Sequence, residues 1–376
     1  MIVVYQIHCT FNPLSAITFY PLPKSHYPLP FYTLKNNYVR IATALVSLVA
    51  CVWLFKKAYA GQDLASVWEQ AKTVDLYWVS VIALASIACH AIRSLRWQLL
   101  LRAVGKEVSF IKLFAALMSA YFVNQAIPRV GELLRPYLLN RSDKISYGTS
   151  LGTVVAERLI DTICLVLLLV SCFVFIGDIT GSFFDTHING RLKGFFGEMP
   201  YWKIVAIFLA VTMVLYLIVE RMQKKEQGKV TEDKPVNKVD EFADDSMKGM
   251  GAILKLQNKG LFGFYTVIIW LLYFLMTYLW FFSMKETSHL GIREAIFIWA
   301  IGNIGRMVPV QGGGAGAYHG LVKIAFVIFG IDILTAGAMA LLIHGLQTLI
   351  YVLFGSISLV AYMLLTGKEE TPSEVV

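Results

Sequence analysis

Six apolar runs decide what this chain can become. They lie at about 38–55, 74–92, 149–176, 201–219, 261–284 and 333–365, and a helix needs roughly 20 apolar residues to cross the hydrocarbon core of a bilayer. Repeated runs of that length read as the spans of a polytopic α-helical membrane protein. Composition agrees: 57% of the residues are hydrophobic and 15% charged, with a mean hydropathy of +0.63. A soluble domain of this size cannot hide so much apolar surface. The net charge of +8 therefore does not signal nucleic-acid binding; in a membrane protein the basic excess gathers in cytoplasmic loops and orients the chain. The expected fold class is all-α, a polytopic integral membrane protein with about six to eight spans.

Two further regions, 109–141 and 293–330, carry a motif that occurs twice. Residues 127–137 read Ile-Pro-Arg-Val-Gly-Glu-Leu-Leu-Arg-Pro-Tyr, and residues 308–318 read Val-Pro-Val-Gln-Gly-Gly-Gly-Ala-Gly-Ala-Tyr. Aligned on Pro128 and Pro309, both place a glycine three positions on (Gly131, Gly312) and a tyrosine nine positions on (Tyr137, Tyr318). Apolar segments interrupted by Pro and Gly at matching places in two halves point to a transport site.

Loop charges constrain how these regions lie. The stretch 93–112 carries Arg93, Arg96, Arg102, Lys106 and Lys112 against Glu107. The polar stretch 221–260 holds nine Lys/Arg, whereas 177–200 holds Arg191 and Lys193 against Asp178, Asp185 and Glu198. The positive-inside rule makes the first two cytoplasmic and the third external. Residues 109–141 then begin and end inside, as a re-entrant hairpin turning near Pro128. The second copy begins outside, so the two hairpins form an inverted repeat. Two full spans, 293–308 and 312–330, satisfy the same parity. The last run, 333–365, is long for one untilted crossing, and Gly345 and Gly355 offer places to bend.

The polar residues inside these regions are the candidate substrate path. Arg129, Glu132 and Arg135 follow Pro128 at a spacing of three, on one face of a short half-helix. Ionisable groups at membrane depth must pair or line a wet cavity. Glu157, Arg158 and Asp161 sit in the next span, where Glu157 and Asp161 share a face and Arg158 can approach Asp161. Their partners are one another, or Arg129 and Arg135; a structural ion-pair network and a substrate path are both open. In the second motif, Gln311, Gly312, Gly313 and Gly314 expose bare backbone N–H groups ahead of a helix, with Arg306 before and Tyr318 and His319 after. Such a nest binds anions, although glycine runs also make tight turns and close packing. Lys323, His344 and Gln347 are further polar groups in apolar surroundings, and a histidine there most often serves packing. Arg93, Arg96 and Trp97 read as interfacial anchors of a helix end.

Other chemistries find no support in the sequence. Cys9, Cys51, Cys89, Cys164 and Cys172 are scattered and read as packing residues. No metal site and no cofactor are expected, and no GxSxG, P-loop or HExxH motif occurs. Residues 1–36, rich in Pro, Tyr and Phe, lack the order of a signal peptide and read as disordered or as an over-extended gene start. The transmembrane domain is expected over 37–366, with a first half 37–220, a cytoplasmic linker 221–260 and a second half 261–366, followed by a tail 367–376.

Arg-Ser-Leu-Arg-Trp, the run Asn-Gln-Ala-Ile-Pro-Arg-Val-Gly-Glu-Leu-Leu-Arg-Pro, Ala-Glu-Arg-Leu-Ile-Asp and Pro-Val-Gln-Gly-Gly-Gly-Ala-Gly-Ala-Tyr together resemble the transmembrane region of lysylphosphatidylglycerol synthase, also called the flippase-like domain. The resemblance covers about residues 38–365. In two-part synthases this region adjoins a soluble aminoacyl-transferase, which is not expected in this chain. What the resemblance implies is a flippase-type role on Arg129, Glu132, Arg135, Glu157, Arg158 and Asp161, with a membrane phospholipid as cargo and a separate lipid-modifying enzyme as a possible partner. It also implies a multi-pass protein of the bacterial cytoplasmic membrane, with both termini expected inside. A membrane enzyme or accessory subunit for lipid-linked substrates is the alternative function, and a scaffold docking through 221–260 a third.

Overall fold

The computed structural model describes residues 37–176 and 238–367. The chain divides into two units, 1–43 and 44–376, and the contacts below belong to the second. Helices α1 (Asn37–Ala58), α2 (Leu64–Ala71), α3 (Leu76–Ala103), α4 (Phe110–Ala126), α5 (Gly131–Asp143) and α6 (Tyr147–Phe175) come first. Then follow α7 (Lys238–Met250), α8 (Lys259–Trp280), α9 (Ile292–Met307), α10 (Ala317–Ile328) and α11 (Ile333–Gly367). No strand occurs among the described residues.

Local signals set the helix ends. Asp63 and Asp75 accept the first backbone N–H groups of α2 and α3, and Asn258 those of α8, satisfying donors that a helix start leaves orphaned. Gly105 and Gly330 take left-handed φ just past α3 and α10, where glycine is the natural stop. Among the described residues three helices are long and apolar enough to cross a membrane: Leu76–Ala103, Lys259–Ser283 and Ile333–Leu364. Their outer faces are apolar and open, as at Phe264, Val267 and Leu271 on α8 and Ile357, Val360 and Leu364 on α11. Large contiguous apolar surface of this kind is unstable in water and suited to lipid.

Several expectations need correction here. The run 74–92 does not end at Arg93: α3 continues unbroken to Ala103, and Arg93, Arg96 and Trp97 are buried within it. They are not interfacial anchors, because the helix carries them inward against α6. Within the stretch 221–260, residues 238–250 form helix α7. Helix α7 packs on α6 through glycines so close that a Cβ on Gly152 would lie 2.1 Å from Ser246 O, and one on Gly249 2.1 Å from Thr149 O. The span 201–219, the loop 177–200 and residues 1–36 lie outside the described residues. In α11, Gly355 serves a close crossing rather than a bend; a Cβ there would meet Met118 O of α4 at 2.6 Å.

Candidate functional site

Each proline motif is a helix–break–helix hairpin. A residue before proline is pushed to extended backbone, and Ile127 ends α4 there at φ −133°, ψ 111°. Arg129 then takes a left-handed φ of 65°, rare and costly for a residue with a long side chain. The Gly131 N–H, at the first turn of α5, donates to Asn124 Oδ1 of α4 at 2.7 Å. Gly131 has no room for a side chain, since a Cβ would lie 2.0 Å from Ala120 O. The two arms therefore pack backbone to backbone. Arg129 precedes the helix and does not share a helical face with Glu132 and Arg135, which do lie on α5.

The second motif solves the same problem with glycine. Val308 is extended before Pro309, and Gly312, Gly313, Gly314 and Gly316 all take left-handed φ between 63° and 90°. At Gly305 of α9 a Cβ would meet Tyr318 Cα at 2.7 Å, and at Gly314 it would meet Gly305 O at 2.6 Å. These glycines thus serve both the turn and the close approach of α9 to α10. The arms have 16 and 12 residues, rising about 24 and 18 Å. The Gly316 N–H donates to His319 Nδ1 at 3.0 Å, closing the start of α10.

The two turns meet. Arg129 Nη2 donates to Met307 O at 3.4 Å, and a Cβ on Gly313 would lie 3.8 Å from Gln125 Nε2. Arg129 is exposed, while half-buried Arg306 lies over the Tyr318 ring at 4.5 Å. Among the described residues no carboxylate is within ion-pair distance of either arginine. The Tyr318 and His319 rings pack on His344 of α11 at 5.2 and 4.8 Å. Lys323 donates to Ala58 O at the end of α1 and to Gln62 Oε1. Gln347 donates to Tyr351 OH at 2.6 Å.

Behind the first hairpin lies a buried ion cluster. Glu157 is fully buried on α6 and takes three guanidiniums: Arg93 Nη2 and Arg96 Nη2 on Oε1 at 2.7 and 3.3 Å, and Arg135 Nη2 on Oε2 at 2.9 Å. Asp161, one turn on, accepts from Arg96 at 2.7 Å and Arg93 at 3.2 Å. The hydroxyls of Tyr273 and Thr266 on α8 accept from Arg93 and Arg96. Arg135 lies 3.9 Å over the Trp97 ring, and Trp97 donates to Thr153 Oγ1 at 3.0 Å. At the edge of the cluster Arg158 Nε stands 3.2 Å from Glu132 Oε1. The cluster ties α5 to α3, α6 and α8 at once. Removing one partner of such a pair strands a buried charge and costs about 3–5 kcal/mol.

Of the expected path residues, Glu132, Arg135, Glu157, Arg158 and Asp161 therefore converge on the cluster, and Arg129, Arg306, Gly312 and Gly313 gather where the turns meet. Gln311, Gly314, Tyr318 and His319 belong to the second hairpin. Arg129 does not reach Glu157 or Asp161. Sequence reasoning missed Arg93, Arg96 and Tyr273 as cluster members, and Asn124 as the pin of the first hairpin. A spacing of three from His90 through Arg93 to Arg96 was the available signal, because it marks one polar helix face.

The chain is similar in sequence to known membrane proteins. The family profile described as lysylphosphatidylglycerol synthase TM region matches residues 40–355. A UPF0104 membrane protein of Methanothermobacter thermautotrophicus is 23% identical over 286 residues, covering 70% of this chain and 79% of its own. A UPF0104 membrane protein of Methanocaldococcus jannaschii is 28% identical over 108 residues, 28% of this chain and 32% of that one. Both relatives are archaeal, so they lend no support to a bacterial source. No solved structure matches.

Proposed function

Since the chain belongs to the lysylphosphatidylglycerol synthase TM region family and is a membrane protein, we propose that it moves a polar or anionic phospholipid between the leaflets. In this reading the two hairpins are re-entrant and enter from opposite faces as an inverted repeat. The head group passes where their turns touch, and the acyl chains stay in the bilayer. The chain moves its lipid unchanged and performs no chemistry on it.

The observation that carries this reading is the contact between the two turns. Arg129 and Arg306, neither paired with a carboxylate among the described residues, are brought together beside a run of left-handed glycines. Cationic side chains without a carboxylate partner suit a phosphate-bearing head group. The buried cluster meanwhile holds the first hairpin against α3 and α6. A cargo carried down its own gradient needs no nucleotide, and none is invoked.

The test is translocation in proteoliposomes carrying head-group-labelled anionic and zwitterionic lipids, read by an external quencher. The parent protein is expected to expose inner-leaflet label faster than protein-free vesicles, and Arg129→Ala and Arg306→Ala to slow it. A parent no faster than empty vesicles, with and without a proton gradient, overturns the transport reading.

A further inference from the structure

The charges of the buried cluster do not balance. Arg93, Arg96 and Arg135 are each at most 5% exposed, and against them stand two carboxylates, Glu157 and Asp161. Including the pair at the edge, four arginines face three acids, and one positive charge remains either way. Donors are in excess too. Arg135 gives only Nη2 to Glu157; its Nε and Nη1 are buried without an acceptor, as are Arg93 Nε and Arg96 Nε. Buried polar groups are nearly always partnered, and guanidinium donors left bare in an apolar bundle are costly. A purely structural network would end with donors and charges matched.

We infer that Arg93, Arg96 and Arg135 form a binding site for one phosphate oxyanion of single charge, and that Glu157 is its resident competitor. Glu157 already accepts as such an anion would, one oxygen to Arg93 and Arg96 and the other to Arg135. Planar guanidinium forks match the paired oxygens of a phosphate better than a spherical anion. A single negative charge cancels the surplus, which a dianion would overshoot. The partly open edge of the cluster is at Asp161, whose side chain is 15% exposed, with Arg158 and Glu132 at 33% and 37%. The phosphate approaches along that edge and takes the free Arg135 donors, and Glu157 yields its hold on Arg135. The same chemistry is offered by a lipid phosphodiester and by free inorganic phosphate. Binding requires no translocation, so this site stands or falls apart from the transport reading.

The experiment uses the full chain in a neutral, phosphate-free detergent and isothermal titration calorimetry. One arm titrates inorganic phosphate, a second a water-soluble short-chain phosphatidylglycerol, and a third chloride. Glu157→Gln keeps the shape and removes the competing charge, so it is expected to bind about tenfold more tightly than the parent. Arg135→Lys keeps charge but loses the fork, and is expected to bind about tenfold more weakly. Binding in both phosphate arms gives free phosphate as a sufficient ligand; binding in the lipid arm alone gives the head group as its source; both support the site. No phosphate binding by parent or Glu157→Gln overturns it, as does equal binding of chloride. If Arg129→Ala abolishes binding while Arg135→Lys leaves it intact, the anion sits at the hairpin turns and the inference fails. Should Glu157→Gln not fold, the contrast of Arg135→Lys with Arg129→Ala decides alone.

Discussion

Replacing Gly131 by alanine tests the first hairpin with one methyl group. The added Cβ would lie 2.0 Å from Ala120 O, 2.6 Å from Ala120 C and 2.9 Å from Ala120 Cα. All three atoms are backbone, so no rotamer change relieves the clash. Restoring an ordinary contact near 3.4 Å parts α4 from α5 by roughly 1.4 Å, and overpacking of this kind costs about 1–3 kcal/mol. The same movement stretches the bond from the Gly131 N–H to Asn124 Oδ1, now 2.7 Å, worth about another 1 kcal/mol. The gain in helix propensity from glycine to alanine, about 1 kcal/mol in a helix interior, applies only in part at the first residue of α5. The expected net loss is about 2–3 kcal/mol, read as a shift in unfolding of the purified protein in mixed detergent micelles, followed by circular dichroism. Gly263→Ala in α8 is the control, because a Cβ there meets nothing within 4 Å, and it should equal or exceed the parent in stability. If Gly131→Ala is as stable as Gly263→Ala, the close backbone contact of the hairpin arms is refuted.

Further perturbations probe the rest of the scaffold. Arg93→Ala removes a buried partner of Glu157 and Asp161 and should cost about 3–5 kcal/mol, whereas Arg102→Ala on the exposed end of α3 should stay within about 0.5 kcal/mol; equal losses in the same unfolding assay would contradict the burial of Arg93. Gly249→Ala places a Cβ 2.1 Å from Thr149 O and should release α7 from α6, read as faster backbone hydrogen exchange over 238–250; unchanged protection would exclude the glycine crossing. Lys323→Met leaves Ala58 O and Gln62 Oε1 without their donor and should destabilise by about 1–3 kcal/mol, which unfolding of the variant checks directly.

The hairpins could be read from the sequence because their signals are local. Proline forbids the preceding residue a helical backbone, and glycine permits the left-handed one, so Pro128, Pro309 and the run Gly312–Gly314 mark breaks without any knowledge of neighbours. The pairing of Glu157 with Arg135 was likewise accessible, because two ionisable groups in apolar surroundings must find partners. The register of helix α3 against α6 could not be read in the same way. Arg93 and Arg96 follow a long apolar run, and a basic cluster at that place usually marks a helix end at the interface. Only tertiary packing decides whether such arginines turn outward to water or inward to Glu157. The meeting of Arg129 with Met307 is of the same kind, joining residues 178 positions apart.

Break and cluster also depend on each other physically. A helix interrupted inside a bundle leaves backbone groups without intrahelical partners, and within apolar surroundings those groups must be satisfied by protein or by a wet cavity. Asn124 answers for Gly131, and His319 for Gly316. Each is a single hydrogen bond, worth about 0.5–1.5 kcal/mol, and the left-handed Arg129 between Pro128 and Val130 works against the turn. The first hairpin therefore needs a stronger tie, and α5 supplies it through Arg135, placed on Glu157 and stacked on Trp97. The second hairpin has glycine at each left-handed position of its turn, carries no comparable strain, and is held by apolar and ring contacts around Tyr318, Phe326 and His344. Two turns with matching prolines are thus stabilised by different means. Loss of the Arg135 fork on Glu157 should loosen the first hairpin while leaving the second in place, and hydrogen exchange resolved over 127–135 and 308–319 in Arg135→Lys is the measurement that separates them. Equal loss of protection in both segments would show that the two turns move as one body.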